Sequence, residues 1–93
     1  MNQEAFYKIV EMIKNSPSSK VYYKDYVYTD CYCNTRSFYF AHTQGGPNQG
    51  IYERFELDKP QEIYDFMKDA IKIECFIGNM YTPVWTKEHG ILK

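Results

Sequence analysis

KVYYKDYVYTDCYC, from Lys20 to Cys33, mixes tyrosine, valine and threonine at strand-like density. In an extended chain successive side chains point to opposite faces. The odd positions are Val21, Tyr23, Asp25, Val27, Thr29, Cys31 and Cys33. The even ones are Tyr22, Lys24, Tyr26, Tyr28, Asp30 and Tyr32. The odd set is smaller and more aliphatic, so it is expected to face the core, leaving the even set to solvent. Asp25 interrupts the odd set. A bulge or break there would exchange the faces beyond it. Fourteen residues are long for one strand, which also implies a bend.

Working outward, Asn34-Thr35 reads as a turn and Arg36–Thr43 as a second strand. Phe38, Phe40 and His42 share its expected core face, and Ser37, Tyr39 and Ala41 the other. Gln44–Gly50 is a loop by composition. A third strand is expected over Ile51–Leu57, with Ile51, Phe55 and Leu57 inward and Tyr52, Arg54 and Glu56 outward. Glu53 falls inward by parity, which suggests an edge or a bulge. Lys20–Leu57 thus holds seven of the ten tyrosines.

A helical pattern lies on each side. Phe6, Ile9, Val10 and Ile13 recur at helical spacing over Gln3–Lys14. Asn2 is placed to cap this helix, and Pro17 closes it. A second helix is expected from Asp58, with Gln61 completing a capping box and Pro60 in the first turn. Its inward stripe is Ile63, Phe66, Met67, Ala70 and Ile71. Lys72–Ile77 fits either a continuation of that helix to a Gly78 cap or a strand aligning Ile73, Cys75 and Ile77. The continued helix is the reading adopted. Met80–Trp85 is extended, Pro83 argues against a central strand, and Trp85 is expected to anchor the tail. The expected fold is α+β over one domain, residues 1–93. It comprises a three-stranded antiparallel sheet with an N-terminal and a C-terminal helix packed on one face (αβββα), then an irregular tail.

Ninety-three residues allow one core. A net charge of −1 argues against general duplex DNA binding, which needs a basic domain. Three cysteines, an odd number, suggest reduced thiols and a cytoplasmic setting. Met1-Asn2-Gln3-Glu4 lacks the features of a signal peptide, and the longest apolar run, Phe38–Ala41, is far short of a membrane span. Cys31, Cys33, Cys75, His42 and His89 match no zinc-site spacing. Gly45-Gly46-Pro47 does not lead into a helix as a phosphate cradle would. No metal, cofactor or catalytic group is therefore expected.

The residue type that stands out is tyrosine. Tyr22, Tyr26, Tyr28, Tyr32, Tyr39 and Tyr52, with Lys24 and Arg54, are expected on one open sheet face. Tyrosine suits contact surfaces because its large ring immobilises few torsions and keeps a polar end. It also has high strand propensity, so the same residues have a purely structural reading. Asp58, Glu62, Asp65 and Asp69 form an acidic row along the second helix. Such a row is usually a solvated face, but it could also dock on a basic groove. The order helix, three strands, helix is that of the double-stranded RNA-binding domain. The second helix here opens Asp58-Lys59-Pro60-Gln61-Glu62 rather than with a lysine cluster, so the likeness is one of architecture only.

The leading expectation is a small non-enzymatic binding protein that covers a protein partner's surface. Domains of this size without chemistry are common among phage and mobile-element inhibitors of host defence nucleases, of CRISPR or restriction type. No residue pattern identifies such a family. The alternatives are a nucleotide or single-stranded RNA binder stacking bases on the same tyrosines, and a homodimer whose seam is that face.

Overall fold

The computed structural model describes residues 1–46 and 52–92. The elements run α1 (Gln3–Lys14), β1 (Ser19–Tyr22), β2 (Tyr26–Cys33), β3 (Ser37–Gly45), β4 (Glu53–Glu56), α2 (Pro60–Met67), β5 (Lys72–Ile77), β6 (Met80–Thr86) and β7 (Gly90–Ile91). All the strands join one antiparallel sheet in the order β4-β3-β2-β1-β5-β6-β7. The chain is α+β, but the expected three-stranded sheet is wrong: among the described residues there are seven strands. The likeness to the double-stranded RNA-binding order goes with it. The expected inward Ile51 lies outside the described residues, as do Pro47 to Gly50 of the expected loop.

Two local events account for the difference. First, the chain breaks at Asp25. The Tyr23 amide donates to the Tyr26 carbonyl at 2.8 Å, closing a tight turn that divides the long tyrosine stretch into β1 and β2. The turn needs Gly45 opposite it. Gly45 has φ +80°, and a Cβ there would lie 2.9 Å from the Asp25 carbonyl oxygen. Second, α2 stops at Met67 instead of continuing. The Ala70 amide donates to Met67 O, and the next amide, Ile71, donates to Tyr22 O. From there Lys72–Glu74 pair with Tyr22–Lys20 and Cys75 with Ser19, so β5 covers what would otherwise be the open edge of β1. A six-residue apolar alternation fits both periods, and an available strand edge decides between them. Ile71, expected inward, is exposed. The expected capping box is also absent: Lys59 holds the cap position of α2 without a side-chain bond, and Pro60 opens the helix. At α1 the cap is made, with the Ala5 amide donating to Asn2 Oδ1 at 2.8 Å.

β6 tolerates Pro83 because it sits at an irregularity. Glu74 faces Pro83 and Ile73 faces Trp85, leaving Val84 as the extra residue, while β7 covers only Trp85 and Thr86. Trp85 is buried.

The core is one cluster. Phe6, Ile9 and Ile13 of α1 and Ile63 and Met67 of α2 meet Val21, Cys31, Phe38, Phe40, Ile73 and Trp85. Both helices therefore lie on one side of the sheet. Ring pairs among Tyr23, Tyr28, Phe40, Phe55 and Phe66 fill one end of it, with the Tyr23 hydroxyl donating to the Phe66 carbonyl at 2.7 Å. Among the described residues no helix is long and apolar enough to cross a membrane.

Candidate binding face

The side of the sheet away from the helices is the candidate site, and the break at Asp25 together with kinks in β2 and β3 determines which side chains reach it. After the break at Asp25 the even residues of β2 point inward: Tyr28 is 4% exposed, and Tyr26 stacks on Tyr23 at 4.8 Å. Between Tyr28 and Cys31, β2 has one residue more than β1, since Ser19 faces Cys31 and Val21 faces Tyr28. This bulge at Thr29-Asp30 restores the odd residues to the core, so Cys31 is buried and Tyr32 faces out. β3 turns over at the same level. Phe38 and Phe40 are buried, Thr43 is buried, and His42 between them takes φ 57°. The Thr29 hydroxyl donates to the His42 carbonyl at 2.8 Å, holding the two kinks side by side.

The expected tyrosine face is thus only partly assembled. Tyr26 and Tyr28 belong to the core side, and burial raises both phenols above the ordinary tyrosine value. Lys24 lies in the β1–β2 turn rather than in a strand. Tyr22, Tyr32, Tyr39, Tyr52 and Arg54 do share the open side. His42, expected inward, is exposed there, its side chain 74% accessible.

On this side Tyr32 and Tyr39 are directly paired and stacked, 4.9 Å between centroids at 18°. Tyr52, 60% exposed, continues the stack at 6.5 Å and 25°. Arg54 faces Tyr39 across β3–β4, and its hydrogen bond to the Tyr39 hydroxyl holds that phenol below the ordinary value. Asp30, Tyr32, Tyr39, Ala41, His42 and Tyr52 line a shallow hollow of about 340 Å³. The hollow exists because Ala41, paired with Asp30, is a methyl group in a row of large side chains.

The rest of the open side comes from β1, β5 and β6. Lys20 stands over the Tyr81 ring and Lys72 over the Tyr22 ring, each at 4.4 Å. The Tyr22 hydroxyl donates to Glu74 Oε1 at 2.7 Å. Burial first, and then that carboxylate, push the Tyr22 phenol up to about 12. The Tyr81 hydroxyl donates to Ser18 Oγ at 3.0 Å, and Ser18 donates to Asp30 Oδ1 at 2.8 Å. This chain links the β6 aromatics to the hollow. Lys20, Lys72, Glu74, Phe76 and Tyr81 were not singled out from sequence. The signal for three of them was present: in a strand whose Ile73 and Cys75 face in, Lys72, Glu74 and Phe76 must face out, although Ile77 at its end is exposed.

The acidic row does not hold together as a helical flank. Glu62 and Asp65 lie on α2, whereas Asp58 precedes it and Asp69 follows it. All four are exposed. Asp65 accepts from Gln61 at 3.0 Å and lies 3.9 Å from Lys68. Cys31 and Cys33 sit on the core side, away from exposed His42.

Compared with protein-family models, curated proteins and solved structures, the chain matches none.

Proposed function

We propose that this chain is a non-enzymatic binding protein that covers a protein partner with the helix-free face of its sheet. The observation that carries the reading is the Tyr32–Tyr39–Tyr52 stack with Arg54, solvent-facing on the side that neither helix covers. Tyrosine and arginine are among the residues that most often carry binding energy at interfaces. Signs on the face are mixed, Lys20, Lys72 and Arg54 beside Asp30 and Glu74. A mixed pattern selects a protein surface with its own alternating charges better than a uniform phosphate backbone. The near-parallel phenols also support a second reading, in which they stack the bases of a nucleotide or single-stranded RNA.

The test is quantitative capture from the native host extract by wild type, Tyr39→Ala with Arg54→Ala, and a Glu62→Ala, Asp65→Ala control. The partner is expected to be retained by the control and lost from the Tyr39/Arg54 variant. Equal capture by that variant refutes the face. Light scattering and the 260/280 nm ratio of the purified protein separate the alternatives. A dimer dissolved by the same variant reassigns the face to self-association, and copurified nucleotide reassigns it to stacking. Where the captured partner is an enzyme, including a defence nuclease, stoichiometric loss of its turnover tests the inhibitor form of the proposal.

A further inference from the structure

We infer that the hollow bounded by Asp30, Tyr32, Tyr39 and Tyr52 seats an arginine side chain presented by the protein partner. The assignment rests on the binding-face reading above and supplies the chemistry of what binds there.

Of the six residues lining the hollow, Asp30 carries the formal negative charge. Its carboxylate is held in place. Oδ1 accepts from Ser18 at 2.8 Å, with Ser18 itself fixed by Tyr81, and Oδ2 lies 3.4 Å from His42 Nδ1. The side chain is 35% accessible, so the charge is partly removed from water while each oxygen keeps lone-pair capacity for an incoming donor. Phenol rings provide the other walls, and their faces attract cations. The same sheet face uses this attraction twice internally, Lys20 on Tyr81 and Lys72 on Tyr22. Among the described residues those two are the cation–ring contacts. At the tyrosine stack, Arg54 engages the Tyr39 hydroxyl instead. A planar guanidinium fits here better than an ammonium. It can lie parallel to a ring and still donate to a carboxylate from its edge. A phosphate would meet Asp30 and be repelled, so the hollow favours a basic side chain over a nucleotide.

The experiment is a titration of the whole protein followed by the ring and amide NMR signals of Tyr32, Tyr39 and Tyr52. The probes are N-acetyl-arginine amide, its neutral isostere N-acetyl-citrulline amide, and AMP. The arginine probe is expected to give saturable shifts at these residues. The citrulline probe, and the arginine probe on Asp30→Asn, are each expected to bind about tenfold more weakly, through loss of one charge-assisted contact. The amide oxygen of the Asp30→Asn variant can still accept from Ser18, so the local geometry is kept. Tyr52→Ala, which removes an exposed ring at little cost to folding, is a second variant and is expected to weaken the arginine probe. Equal response to arginine and citrulline, full affinity in Asp30→Asn, or tighter binding of AMP than of arginine each overturns the inference. A partner lost from Tyr39→Ala but fully retained by Asp30→Asn removes the arginine seat and leaves the face. A partner retained by both removes the face itself.

Discussion

Tyr28→Ala and Tyr52→Ala remove the same atoms from opposite sides of this sheet, and their stabilities should differ sharply. Tyr28 is 4% exposed and meets the rings of Tyr23, Tyr26, Phe40 and Phe66 at 5.7–5.9 Å. Truncating a fully buried ring costs about 3–5 kcal/mol, because transfer energy and packing are lost and the cavity only partly collapses. The whole stability of a chain of 93 residues is on the order of 5–14 kcal/mol. Each kcal/mol moves the midpoint of a domain of this size by about 4–8 °C, so a fall of roughly 12–40 °C is expected. Tyr52 is 60% exposed, and its truncation should stay within about 0.5 kcal/mol. Urea titration and thermal melting, followed by circular dichroism, measure both. A Tyr28→Ala protein within about 1 kcal/mol of wild type would mean that β2 is not turned over after Asp25, and the composition of the open face would have to be redrawn.

Gly45→Ala should cost about 1–3 kcal/mol in the same assay, since it combines a left-handed backbone with a Cβ 2.9 Å from the Asp25 carbonyl. Gly78→Ala shares the positive φ but meets nothing within 4 Å, and should lose only about 1 kcal/mol. Near-equal costs would argue against the close approach of the β1–β2 turn. Alkaline stability should fall from about pH 10, the unfolded tyrosine value, to about 12, the folded value at Tyr22, because over that window the unfolded chain gives up a proton that the folded one keeps. Tyr22→Phe should flatten part of this slope, and an unchanged slope would show that burial and Glu74 do not raise the Tyr22 phenol in the folded chain.

Some of this architecture is legible residue by residue. The period of Phe6, Ile9 and Ile13 specifies a helix with one apolar side, and Asn2 marks its start. Phe38 and Phe40 assign their own face, since two large rings at alternate positions have nowhere else to be buried. The stack of Tyr32, Tyr39 and Tyr52 was reachable from parity alone. His42 was not: its side is determined by a left-handed backbone that nothing in the residue type requires. Tyr26 and Tyr28 were misplaced because a break and a bulge lie on either side of them, and each reverses the alternation.

What the amino-acid order determines is the local periodicity, the Asn2 cap of α1, the break at Asp25 and the concentration of phenols. Tertiary structure alone decided that Lys72–Ile77 is a strand. That segment's alternation fits two periods, and the open edge of β1 offers backbone partners that a longer α2 could not have satisfied. It likewise decided which phenols remain in solvent, because burial depends on where the helices lie, and six side chains far apart in the chain come to share one hollow only when the strands are in register.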